Sequence, residues 1–132
     1  MQANAQQDVA ALVGRILVAL IFVISGFGKI TGFAGTAGYM ASKGLPMPEV
    51  LLVATILIEF VGGLMLMAGV KTRLVALAFV AFLVPVTAVF HNAFADPAEM
   101  NNMLKNISIA GAMLLLFAFG PGRLSFDGRG RD

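Results

Sequence analysis

The chain has 132 residues, of which 59% are hydrophobic and 12% are charged. Soluble domains are typically about 45–50% apolar and about 25% charged, so this composition predicts an integral membrane protein. The net charge of +2 arises from basic residues scattered at segment ends, a pattern that argues against nucleic-acid binding. Because the chain has no cysteine and one histidine, thiol chemistry and multi-histidine metal sites are excluded, and no metal is predicted.

Four apolar stretches follow one another along the chain, and a bilayer span takes about 20 apolar residues. We predict transmembrane helices at residues 9–30, 48–70, 73–92 and 97–119. They form an all-α, four-helix transmembrane bundle within a single domain of residues 1–132. The first stretch also has the charged, apolar and small-residue order of a signal peptide, but an uncleaved helix fits the four-span arrangement better.

Turn signals separate the predicted helices. Glycines and the Pro46-Met47-Pro48 step predict a loop after the first helix. The run Asp96-Pro97-Ala98-Glu99 is typical of a capping box, with Asp96 as the N-cap and Glu99 at the third helical position. The fourth helix therefore begins near Pro97, which places Lys105 and Asn106 inside it.

The distribution of lysine and arginine predicts the orientation, because these residues are enriched in cytoplasmic loops. The N-terminus, the loop after the second span and the tail of residues 123–132 share one side of the predicted bundle. That side carries most of the basic residues: Arg15, Lys71, Arg73, Arg123, Arg129 and Arg131. We therefore predict that both termini and the tail are cytoplasmic.

Glu59 is a carboxylate near the middle of an otherwise uncharged run, residues 50–70. A charge at the bilayer centre costs roughly 2.5–3.5 kcal/mol on insertion scales, so Glu59 requires a partner, a proton or a wet cavity. Helical spacing places Glu59 on one face with Gly62 and Gly63, and small residues let a neighbouring helix come close. That face is predicted to point into the bundle. One interpretation is a structural ion pair between Glu59 and Arg15; pairing with Lys105 is the alternative.

Further polar side chains lie in the outer half of separate predicted helices. We predict that they line, with Glu59, a polar pocket that opens outward. The ligand-binding candidates are Glu59, His91, Lys105, Asn106, Ser25 and Lys29. No catalytic residue can be assigned. In the simpler interpretation, His91 bonds a carbonyl or a lipid headgroup at a helix end, and the lysines extend to the membrane interface.

An ordered set of short motifs spreads over residues 12–128. The motifs are Arg15-Ile-Leu, Ser25-Gly26-Phe27-Gly28-Lys29, Glu59-Phe-Val-Gly62-Gly63, Gly69-Val-Lys-Thr72-Arg73 and Gly120-Pro121-Gly122-Arg-Leu-Ser125-Phe-Asp127. With these motifs the chain resembles the DoxX family of small membrane proteins. The resemblance implies a multi-pass, four-helix protein of the bacterial cytoplasmic (inner) membrane. The family takes its name from a subunit of a thiosulfate:quinone oxidoreductase, and some members are associated with membrane redox complexes.

Two functional hypotheses follow from the residues and the resemblance. In the first, the chain is a redox-associated subunit of a membrane oxidoreductase and binds a quinone or similar small ligand in the polar pocket. This hypothesis leaves open whether the subunit is catalytic. No electron carrier is evident in the sequence, so redox activity requires a bound quinone or a partner protein. In the second, the chain is a non-enzymatic scaffold, assembly factor or small-solute carrier. The expected partners are the lipid bilayer and either further copies of the chain or a redox partner protein.

Overall fold

A computed structural model describes residues 4–129 of the chain, and within them every regular element is helical. The helices are α1 (Ala5–Thr31), α2 (Phe33–Ser42), α3 (Pro48–Ala68), α4 (Thr72–Phe90) and α5 (Pro97–Phe119). All except α2 are long and apolar enough to cross a membrane. The prediction of an all-α fold with four membrane helices is confirmed. Residues 1–3 and 130–132 of the predicted domain lie outside the described residues.

The segment predicted as the first loop is largely helical. Here α2 begins directly after Gly32, whose N–H donates to the carbonyl of Gly28 at 2.9 Å. Glycines disfavour a helix by about 1 kcal/mol each relative to alanine, which is why the sequence indicated a loop. The side chains of Ala37 and Met40 are buried and pack with Leu52 of α3. Tertiary packing on α3 thus stabilises a helix that glycine content alone would not favour.

Close contact between α1 and α3 sets the register of the bundle. A Cβ atom added to Gly26 would lie 2.8 Å from the backbone nitrogen of Phe60, and one added to Gly63 would lie 2.8 Å from Val23 Cγ2. The two helices therefore touch where one of them has no side chain. This register places Glu59, next to Phe60, level with the end of α1 that carries Lys29.

The apolar core lies between α1, α3, α4 and α5. Its buried members include Phe22, Leu66, Phe79 and Met113. The rings of Phe22 and Phe79 lie 4.4 Å apart, centroid to centroid. Most other large apolar side chains are exposed, as expected for helices surrounded by lipid.

Arg15 closes the end of the bundle at which α1 begins and α5 ends. Its side chain is buried, and its guanidinium donates to the carbonyls of Pro121 at 2.6 Å, Leu124 at 2.9 Å and Met67 at 3.1 Å. These carbonyls belong to the end of α3 and to the segment after α5. Arg15 therefore ties the C-terminal segment to two membrane helices.

The predicted tail, residues 123–132, packs on the turn between α3 and α4 as far as it is described. The N–H groups of Phe126 and Asp127 donate to the carbonyls of Ala68 and Gly69, each at 2.9 Å. The carboxylate of Asp127 accepts from the N–H groups of Lys71 and Thr72, each at 2.8 Å. Asp127 thus caps the N-terminus of α4, a position where negative charge is favourable.

The predicted capping box at the start of α5 forms only in part. The side chain of Asp96 accepts from the N–H of Ala98 at 3.1 Å, so the N-cap is as expected. Glu99 does not bond back to Asp96, whose N–H donates instead to the carbonyl of Asn92. The first turn, Pro97–Glu99, is a 3₁₀ turn, and the Glu99 carboxylate bonds His91. The Glu99 carboxylate therefore bonds another side chain instead of the backbone of the N-cap residue.

Candidate ligand-binding site

A cavity of about 200 Å³ lies in the half of the bundle where α1 ends and α5 begins. We call it the polar cavity. Helices α1, α2, α3, α4 and α5 all contribute to its walls. All six ligand-binding candidates from the sequence line it: Ser25, Lys29, Glu59, His91, Lys105 and Asn106. The structure thus brings together residues that lie up to 81 positions apart in the chain.

An ion pair between Lys29 and Glu59 lies at the inner wall of the polar cavity. The Nζ of Lys29 is 2.8 Å from Glu59 Oε1 and donates to Ser25 Oγ at 2.6 Å. The Glu59 side chain is 7% exposed and that of Lys29 is 26% exposed. Within residues 4–129, Glu59 Oε1 is buried and receives no further hydrogen bond. The carboxylate is therefore stabilised by a single cation and has spare acceptor capacity.

The sequence interpretation that paired Glu59 with Arg15 is wrong in this structure. Arg15 bonds three backbone carbonyls, and the cation at Glu59 is Lys29. The reason is the register of α1 on α3. Because Gly26 contacts Phe60, Arg15 lies level with Met67 and not with Glu59. Lys29 also does not extend freely to the interface, since its ammonium is held by Glu59.

A π-helical turn interrupts α3 at the ion pair. It spans Leu57–Val61 and has Glu59 at its centre. A π turn inserts one extra residue into a helix and is frequently found at functional sites. The extra residue rotates the part of α3 after the turn relative to the part before it. Glu59 lies at this change in the helical register. No pattern in the sequence predicts this turn.

His91 and Glu99 form a second polar pair at the mouth of the polar cavity. The Nδ1 of His91 lies 2.7 Å from Glu99 Oε2, which also accepts from Asn102 Nδ2 at 2.9 Å. His91 follows the last residue of α4, and Glu99 belongs to the first turn of α5. The histidine is therefore bonded to a carboxylate, whereas the simpler interpretation gave it a carbonyl or a headgroup.

Lys105 and Asn106 bring two different polar groups from α5. Lys105 is exposed, and its Nζ lies 3.5 Å from Asn102 Oδ1; it forms no salt bridge with any carboxylate in residues 4–129. Asn106 is buried, and its Nδ2 donates to Thr87 Oγ1 on α4 at 3.1 Å. Lys105 does not pair with Glu59, the alternative that the sequence left open.

Helix α2 adds lining residues that the sequence analysis missed, because it treated this segment as a loop. They are Thr36, Tyr39 and Met40. The Tyr39 ring stacks on Phe90 with centroids 5.7 Å apart, which gives the polar cavity an aromatic edge. The i, i+3, i+4 spacing of the three residues was the available signal for a helix face.

The chemistry of the polar cavity combines apolar walls with a few oriented polar groups, as small-molecule sites commonly do. Lys29 and Ser25 can donate hydrogen bonds, Glu59 can accept them, and His91 can do either. No group of three or more histidine or acidic side chains in the described part of the chain is arranged to hold a metal ion. The groups present suit an organic ligand with carbonyl or hydroxyl oxygens.

Comparison with known proteins places these features in a family. The DoxX family model matches residues 10–92. The chain is 42% identical to Inner membrane protein YqjF of Escherichia coli over 92% of both chains. It is 39% identical to Inner membrane protein YphA of the same organism, over 96% of this chain and 94% of the relative. It is 30% identical to a Bacillus subtilis protein named "Putative oxidoreductase CatD", over 80% and 79% of the two chains. No solved structure matches significantly.

Proposed function

Because the chain belongs to the DoxX family and is a multi-pass protein of the bacterial inner membrane, we propose that it is a redox-associated subunit that binds a quinone or similar small ligand in the polar cavity. The Bacillus relative is named as an oxidoreductase, which supports a redox role. With both termini cytoplasmic, as the basic residues predict, the polar cavity lies in the outer half of the membrane.

The observation that carries the proposal is that the buried Glu59 carboxylate and the partly exposed Lys29 ammonium form an ion pair in the wall of a cavity. Ionisable residues inside a membrane are expensive and commonly mark substrate or proton pathways. A pair that served packing alone would be expected to bury both partners away from open space. Here the carboxylate retains unused acceptor capacity, and the ammonium is also bonded to Ser25.

The size of the polar cavity fits a single ring. An engineered cavity of about 150 Å³ in another protein binds benzene, so about 200 Å³ accommodates one substituted ring. A quinone needs hydrogen-bond donors at its two ring oxygens, and the quinol needs acceptors. Lys29 with Glu59 on the inner wall and His91 at the mouth supply both kinds of group. Tyr39 and Phe90 supply aromatic surface for the ring.

The test is to compare Glu59→Gln with a matched control, Glu49→Gln. Glu49 is an exposed carboxylate in the first turn of the same helix and does not line the polar cavity. Native mass spectrometry of the gently extracted protein would report bound quinone, and the melting temperature would report stabilisation by added quinone. We expect Glu59→Gln to fold and to lose the bound quinone and the thermal shift, while Glu49→Gln keeps both.

Two results would overturn the proposal. In one, Glu59→Gln binds quinone as tightly as the unmodified chain does. In the other, the unmodified protein carries no small ligand, is not stabilised by quinone, and is extracted only with a partner protein or as an oligomer. The second result would favour a scaffold, assembly factor or small-solute carrier.

A further inference from the structure

A second cavity, of about 350 Å³, lies along the seam between α4 and α5. We call it the lateral groove. Its walls are mainly apolar, and exposed residues such as Val84, Ala88 and Ile107 form its outer edge, where the helices face lipid. The lateral groove therefore opens toward the hydrocarbon of the membrane and not toward water.

The lateral groove and the polar cavity share a wall. Leu83 of α4 and Asn106 of α5 line both spaces. The Asn106 side chain crosses the seam and bonds Thr87, which lines the lateral groove alone. This amide–hydroxyl bond is a polar link within an otherwise apolar contact between the helices. Leu83 and Asn106 thus form part of the wall between the two spaces.

The volume of the polar cavity limits which part of a ligand it can hold. The polar cavity, at about 200 Å³, has room for one substituted ring but not for a long chain attached to it. A quinone dissolved in a membrane carries such a chain, which must leave the polar cavity. The apolar space next to the polar cavity is the lateral groove.

We propose that the ligand of the polar cavity is an amphipathic molecule with a ring headgroup and a long apolar chain, and that the chain lies in the lateral groove, past Leu83 and Asn106. This inference rests on the proposed function, because it assigns the headgroup to the same site. It adds the ligand class and the route, since the molecule enters sideways from the bilayer. Asn106, which faces both spaces, is then the residue that the junction of ring and chain contacts.

The test uses a bulky substitution in the lateral groove and a matched one outside it. Ala88→Phe fills the groove at its exposed edge, while Ala78→Phe adds the same side chain at an exposed position of the same helix that lines neither space. The two probes are a benzoquinone without a chain and the same headgroup with a ten-carbon chain. Affinities are measured by ligand-dependent thermal shift in detergent. Because both positions face lipid, both variants should fold.

We expect Ala88→Phe to weaken binding of the chain-bearing quinone about tenfold or more, the order that overpacking produces. Binding of the chainless quinone should change less than about twofold, and Ala78→Phe should leave both affinities unchanged. In the unmodified protein, a probe with a photoreactive group in its chain should label peptides that contain Ala88 or Ile107.

The outcomes separate this inference from the proposed function. If both probes bind and Ala88→Phe affects neither, or if the photoreactive chain labels only residues outside the lateral groove, the lateral groove is not the chain site and the proposed function stands. If neither quinone binds the unmodified protein, the proposed function fails and the inference fails with it.

Discussion

Replacing Lys29, the cation beside Glu59, should lower the stability of the folded protein far more when Glu59 is present than when Glu59 is replaced by glutamine. Lys29→Met leaves the buried Glu59 without its ammonium. Breaking a buried ion pair from one side costs about 3–5 kcal/mol, because a desolvated charge loses its partner. Lys29 is 26% exposed and the site borders a cavity, so water softens the loss, and we expect about 3 kcal/mol.

Glu59→Gln alone leaves an ammonium that can still bond Ser25 and reach water, so its cost should be near 1 kcal/mol. The double variant should be about as stable as Glu59→Gln, which gives a coupling energy of about 2–3 kcal/mol. Arg15 provides the contrast. It lies 14 residues before Lys29, about 21 Å along α1, and has no contact with Glu59. Arg15→Ala combined with Glu59→Gln should therefore be additive within about 0.5 kcal/mol.

The measurement is the free energy of unfolding in mixed micelles, titrated with sodium dodecyl sulfate and followed by circular dichroism. Six proteins complete the two cycles: the unmodified chain, the three single variants and the two double variants. Strong coupling between Arg15 and Glu59, with none between Lys29 and Glu59, would refute the register of α1 on α3 described above. Absence of coupling between Lys29 and Glu59 would refute the ion pair between them.

Three further predictions follow from other contacts. Gly26→Ala should destabilise the folded protein by about 1–3 kcal/mol, because the added Cβ would lie 2.8 Å from the Phe60 backbone. Gly28→Ala should be neutral or slightly stabilising, because the space around Gly28 is open. Equal melting temperatures for the two variants would contradict the contact between α1 and α3. Asp127→Asn should cost about 1 kcal/mol through the weakened cap of α4, measured by the same titration, and no change would mean that the cap is not formed. Arg15→Ala should expose the segment after Gly120 to protease, and unchanged protection would contradict the three carbonyl bonds.

The sequence alone predicted the helical class and the clustering of the six polar candidates, because both depend on apolar length and on which helix end each residue occupies. Residues at similar depth on neighbouring helices lie close together when their helix faces point into the bundle. The ion-pair partner of Glu59 was harder to predict from the sequence. Glu59 could reach either Arg15 or a lysine on depth alone, and only the contact of Gly26 with Phe60 decides between them.

Two other features depended on information that a single sequence does not carry. Local glycine content disfavoured α2, and its formation depends on Leu52, which lies in another helix. The π turn at Leu57–Val61 has no propensity signature, since each residue in it is an ordinary helix residue. The packing of α2 on α3 is a case in which tertiary contacts override local preference, because a buried face is available.

The three carbonyl bonds of Arg15 also have a consequence for the timing of synthesis. Two of the acceptors, at Pro121 and Leu124, are encoded 106 and 109 residues after Arg15. Chains grow at about 5–20 residues per second, so α1 is made roughly 5–20 s before the first of these carbonyls exists. During that interval the guanidinium must be accommodated by water or lipid headgroups near the membrane surface. A segment that is synthesised after all four membrane helices thus completes the hydrogen bonds of a residue in the first helix.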